Sequence, residues 1–207
     1  ASGDVDGAID LAKRVVKGDS ADRAARLALA IGAMKDGNYS RARDQLSQSG
    51  KGQFTTLTLY LVDGWAAEGA GDIDTALKDM DALAGVGGTP QLIAYHKALI
   101  LDLAGRDAEA EAAYKLVLQQ AGNGPRATEA YGRFLERHGR TDEAKALYTK
   151  LQSDDSLQPI TGAGLARIAA GTKPDRLVNS PQEGAAEGLF SIAVSLNDAT
   201  NADIAIL

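Results

Sequence analysis

Five glycines stand 34 residues apart, at Gly3, Gly37, Gly71, Gly105 and Gly139, and each is followed five residues later by an alanine: Ala8, Ala42, Ala76, Ala110 and Ala144. Two residue types held in one register over five copies mark an internal repeat, and a period of this length is what stacked supersecondary units produce. Counting back seven from the last four glycines gives Ala30, Gly64, Ala98 and Gly132, so each of those copies carries two small residues twelve apart. A small residue on each of two helices lets their axes approach closely. The glycine between them is free to take the left-handed conformation that ends the first helix. Each repeat therefore reads as a helix hairpin.

Apolar residues continue at helical spacing after the alanine. Ala12, Leu46, Met80, Tyr114 and Tyr148 come four residues later, and Val15, Leu83, Val117 and Leu151 come seven later, where the second copy departs with Ser49. Turn formers close the copies: Gly87-Gly88-Thr89-Pro90, Asn123-Gly124-Pro125, and Asp154-Asp155-Ser156 with Pro159. Over residues 3 to about 152 the pattern resembles the tetratricopeptide repeat, a 34-residue hairpin with small residues at these sites and a large residue four after the second. The copy with Tyr131, Gly132, Leu135, Ala144, Tyr148 and Leu151 is most similar to the family motif. Asp63 and Lys97 depart from it, standing where the family places leucine. The resemblance implies an all-α fold, an α-α superhelix or solenoid of stacked antiparallel hairpins.

The array is expected over residues 1–170, with copies at about 1–20, 21–54, 55–88, 89–122 and 123–156 and a lone helix at 157–170. Gly171-Thr172-Lys173-Pro174 stands where that helix's partner belongs, so residues 171–179 read as a linker. Ser180-Pro181-Gln182-Glu183 has the form of a capping box with proline at the first helical position. A further helix pair, truncated, is expected over 180–207. Glu183 to Glu187 and Asp203 to Ala205 are similar to a join in large bacterial envelope proteins of the tetratricopeptide type, of the alphaproteobacterial kind. That resemblance implies a periplasmic setting, with the cytoplasm as alternative.

The chemistry for catalysis is sparse. Cysteine is absent, and the two histidines, His96 and His138, lie 42 residues apart without an HExxH arrangement. His96 reads as a helix-surface residue and His138, beside Gly139, as a helix C-terminal one. No GxxxxGK[ST] or GxSxG occurs. Asp72, Asp74, Asp79 and Asp81 lack the EF-hand pattern and read as the solvated start of a helix. Glu129 with Arg133, and Glu136 with Arg140, are spaced for pairs one turn apart. A net charge of −6 disfavours nucleic acid. No stretch reaches the roughly 20 apolar residues of a membrane span. The expectation is a protein that is not an enzyme, without cofactor or metal.

What remains is binding. Repeat proteins bind on the extended concave surface that stacking creates. The resemblance implies lining positions ten and six residues before each glycine: Leu27 and Ile31, Leu61 and Trp65, Tyr95 and Leu99, then Glu129 and Arg133, with Arg137 and Arg167 alongside. This describes an apolar groove with a basic end, suited to a protein or peptide segment. Rotating the helices by one residue, about 100°, would exchange these side chains with Asp63 and Lys97 and send them to the core. The expected function is a non-catalytic protein-interaction scaffold in bacterial envelope assembly or integrity. The alternatives are the recruiting portion of a larger enzyme, or a self-assembly module.

Overall fold

The computed structural model describes residues 4–50, 52–86, 89–120 and 124–196; Gly3, the Gly87-Gly88 turn, Asn123 and the expected helix opening at 199–207 lie outside the described residues. Among the described residues the chain is all-α, with eleven helices, one 3₁₀ turn and no strand. In order these are α1 (Val5–Gly18), α2 (Arg23–Lys35), α3 (Tyr39–Ser47), α4 (Gln53–Gly69), α5 (Ile73–Ala82), α6 (Pro90–Leu103), α7 (Asp107–Gln120), α8 (Pro125–Arg137), α9 (Thr141–Leu151), α10 (Gln158–Ala170) and α11 (Pro181–Leu196). The pairs α2–α3, α4–α5, α6–α7 and α8–α9 pack as hairpins, so the fold is a helical repeat.

The repeat glycines make the turns. Gly37, Gly71, Gly105 and Gly139 have φ of 70°, 79°, 72° and 73°, a region closed to most residues with a Cβ. The left-handed turn returns two amides to the ending helix, as in Gly71 N to Glu68 O (2.8 Å) and Asp72 N to Ala67 O (2.9 Å). The next residue starts the second helix: Asn38 and Asp72 accept hydrogen bonds from the amides of Arg41 and Thr75. Gly171 repeats the left-handed conformation at the end of α10, although no helix follows directly.

The small residues lie at the helix contacts. Ala30, Ala98, Ala42, Ala76, Ala110 and Ala144 are fully enclosed, whereas Ala8 on α1 is exposed. All five residues four after the alanine are buried. Their bulk explains the glycines opposite. A Cβ on Gly132 or Gly164 would collide with the Tyr148 ring, and one on Gly64 with the Met80 methyl.

Two compact units result, and their boundary differs from the expected single array over 1–170. The first comprises Ala1–Thr89 with Ser180–Leu207, and the second Pro90–Asn179. Helix α11 starts at Pro181 beneath the Ser180 hydroxyl, which accepts from the Glu183 amide at 3.2 Å. It packs on α4 and α2, which returns it to the first unit. Residues 172–179 form neither helix nor strand and belong to the second.

Candidate functional site

In the first unit, α2 and α4 are the first helices of their hairpins. Leu27 and Ile31 on α2 are half-buried, and Leu61 and Trp65 on α4 are completely buried. Their cover is α11. Gly184 lies directly against the Trp65 indole, where any Cβ would overlap the ring, so this helix approaches as closely as backbone allows. Gln182 fixes its start by donating from Nε2 to Met34 O (2.9 Å) and to Tyr39 Oη (3.1 Å). Trp65 is thus enclosed by the chain's own helix in this conformation. The outer side of α11 leaves Phe190 and Val194 each 55% exposed.

Acids recur three residues before the glycines, and they meet unlike surroundings. In the second unit Asp102 and Glu136 are buried and accept from tyrosines twelve residues on: Tyr114 Oη to Asp102 Oδ2 (3.1 Å) and Tyr148 Oη to Glu136 Oε1 (2.7 Å). Arginines complete both. Arg137 reaches both Asp102 oxygens at 2.6 Å and Arg176 reaches Oδ1 at 3.2 Å, while Arg167 meets Glu136 Oε1 at 2.8 Å. Burial beside a carboxylate pushes both tyrosine hydroxyls well above their ordinary range. In the first unit the matching acid is Glu68, with Met80 at the tyrosine's place. Glu68 Oε2 is buried without a hydrogen-bond partner, and burial raises the carboxyl to about 7.

The second unit's first helices are α6, α8 and α10. Tyr95 and Leu99 are buried there, Glu129 is half-buried, and Arg133 pairs with Glu129 at 2.6 Å. Arg137 keeps only 10% of its side chain exposed, so the expected basic end is an internally paired layer rather than a set of free cations. Arg176 also donates to Asp102 O (3.1 Å), and Val178 is buried, so the non-helical segment 172–179 lies against this unit.

Three sequence expectations are corrected by this geometry. His96 is fully buried, edge-on to Tyr95, rather than at the helix surface, because its side of α6 faces the core. Glu136 pairs with Arg167, not Arg140. Arg140 instead meets Glu111 (2.7 Å) and Glu143 (2.6 Å), and the hydrogen bonds of Arg140 and Lys115 hold Glu111 down to about 2. Asp79 is not simply solvated: it shares Arg43 with Asp63, and burial next to Asp63 raises it to about 6. This sharing also explains Asp63 at a leucine position, since Arg43 Nε and Nη2 reach its two oxygens at 2.9 and 3.3 Å. His138 caps α8 as expected, with Nδ1 2.7 Å from Phe134 O and Nε2 3.1 Å from Asp107.

The positive-φ glycine, the paired small residues and the large residue four beyond are now on one frame. Residues 61–125 match the family described as tetratricopeptide repeat. No curated protein matches the chain. The matched stretch runs from α4 to the start of α8, and the same devices recur in α2–α3 and α8–α9 outside it. Tetratricopeptide repeats mediate protein–protein interaction, and the buried, internally paired polar groups here serve packing. Among the described residues, no cluster of His, Asp and Glu is arranged to hold a metal, and no helix is long and apolar enough to cross a membrane.

Sequence reasoning missed Glu68 and Asp102, and gave Glu136 the wrong partner, although the three are 34 residues apart, with Tyr114 and Tyr148 twelve after the latter two. That spacing was the available signal. Gln182 and Gly184 had none, because their partners lie over a hundred residues away.

Proposed function

We propose that this chain is a non-catalytic scaffold for protein–protein interaction and that the α2–α4 face of the first unit takes a helical partner segment. One observation carries this reading: α11 is seated there over Trp65, held by Gln182 and by an approach only glycine permits. A face that already accepts a helix through apolar contact and two hydrogen bonds is a helix-in-groove surface. Its lining comprises Leu27, Ile31, Leu61 and Trp65. On the resemblance at 183–187 and 203–205, the setting we propose is bacterial envelope assembly, in the periplasm. Photo-crosslinking from Leu27 in cells tests it. Adducts with a protein are expected, increased in Gly184→Leu, which expels α11; no adduct in either form overturns the reading.

Self-association is the second reading, favoured by the exposed apolar side chains Leu11, Phe190 and Val194. Sizing across a concentration series separates it from binding by a monomer.

A further inference from the structure

The second copy of the repeat lacks a large side chain at one position. Seven residues after the alanine, Leu83, Val117 and Leu151 are large and buried, but the second copy carries Ser49. A cavity of about 190 Å³ lies there, lined by Leu46, Ser47 and Ser49 at the end of α3 and by Thr56, Leu59, Tyr60 and Asp63 on α4. Thr56, Leu59, Tyr60 and Asp63 follow the i, i+3, i+4, i+7 rhythm of one helix side, whereas Leu61, Trp65 and Glu68 follow i, i+4, i+7 on the opposite side. The cavity is therefore separate from the surface covered by α11.

Its size and charge narrow the occupant. Small-molecule sites run to roughly 300–1,000 Å³, so this space suits a single side chain. Leu46, Leu59 and Tyr60 make that side chain apolar. A second depression shares Ser47 and Asp63 with the cavity and adds Asp44 and Asp72, both exposed. Among the described residues that line it the cation is Arg43, already held by Asp63 and Asp79. The rim thus has negative charge to spare, and an apolar anchor with a neighbouring cation would meet complementary potential.

We propose that the Ser49 cavity is a docking site for a protein segment in which an apolar residue is followed by lysine or arginine. The proposal extends the interaction reading to a different surface, so crosslinking from Leu27 and the test below can fail independently. The test uses the full chain, isotope-labelled for amide NMR, with blocked peptides Gly-Leu-Lys-Gly and Gly-Leu-Glu-Gly at millimolar concentration. The lysine peptide should shift the amides of Leu46, Ser49 and Tyr60, and the glutamate peptide should bind about 5-fold more weakly, the worth of one exposed charge pair. Ser49→Leu, which restores the residue type of the other copies, should abolish the shifts and raise the melting temperature. Asp44→Lys, an exposed change, should weaken the lysine peptide with the melting temperature unaltered. Absence of shifts, equal binding of both peptides, shifts retained in Ser49→Leu, or indifference to Asp44→Lys each overturns the proposal. Amide shifts that move with protein concentration alone would also overturn it, by making a second copy the occupant.

Discussion

The two units share a backbone plan and differ in how they satisfy polar groups. In the first, the residue after each repeat glycine is Asp4, Asn38 or Asp72, which caps the next helix with its own side chain. In the second it is Arg106 or Arg140, each reaching forward to a glutamate three residues on at 2.7 Å or less. Asp102 and Glu136 are braced by tyrosine and arginine from other elements, whereas Glu68 has neither. One unit has a helix lying on Trp65 of a first helix, and the other a non-helical segment pinned through Arg176 to Asp102 of a first helix. The glycine turn and the small-residue contact therefore fix the hairpin whatever the polar layer does. That layer makes the second unit a cross-braced ionic structure and the first a mainly apolar one with a docked helix.

The largest expected effect breaks the bracing. Asp102→Ala leaves Arg137, Arg176 and Tyr114 without their common acceptor in a buried place, and losing one partner of such a pair costs about 3–5 kcal/mol. Chemical denaturation should show that loss in full. The matching change in the first unit, Glu68→Ala, should cost much less, because no ion pair is broken. Equal losses at both positions would refute the contrast.

What the units share predicts equal effects. Ala76 and Ala110 are both fully enclosed at the contact of their hairpin's two helices. Leucine at either position must force the helices apart, at about 1–3 kcal/mol. Melting temperatures should fall by similar amounts in the two mutants, and an unaltered value in either would separate the hairpins in kind.

This shared part was legible in the sequence. A glycine every 34 residues, with a small residue seven before and five after, states a left-handed turn and a close helix contact, and both are local requirements. The start of α11 was legible for the same reason, since Ser180 and Pro181 act on adjacent residues. Where α11 packs was not. No periodicity links Gly184 to Trp65, and a segment of small residues fits many apolar faces. The placement of Leu61 and Trp65 on one side of α4 follows from helical spacing, but their full burial depends on a helix from far along the chain. Arg137 likewise reads as a surface cation until Asp102, in another repeat, is known to face it.

Glu68 allows the contrast to be sharpened by pH. Its carboxyl ionises at about 7 in the folded chain against an ordinary value of 4.5. The folded state therefore holds a proton that the unfolded state gives up between these values, so stability falls as pH rises through that window and the loss is complete above it. Glu68→Gln removes the titration. It should be more stable than the parent by on the order of 2 kcal/mol at about pH 8, and equal to it at about pH 4. Parallel stability curves for the two proteins across that range would show that water or a neighbour already satisfies the acid.

The smallest effect separates two arginines one turn apart on α8. Arg137 is bound to an acid in another hairpin with both side chains nearly enclosed, whereas Arg133 meets Glu129 on its own helix with 26% of its side chain exposed. A pair one turn apart on a helix is worth about 0.3–0.5 kcal/mol, because solvent screens the attraction and ordering two long side chains offsets it. Arg133→Ala should therefore leave thermal stability within about 0.5 kcal/mol of the parent. Arg137→Ala leaves buried Asp102 with only Tyr114 and the more exposed Arg176 as partners and should cost several times more. Raised salt should narrow the small difference and leave the large one, since screening reaches exposed pairs first. Similar losses for the two would mean that the layer around Asp102 contributes no more than the surface pairs, and the distinction between the units would reduce to their covering segments.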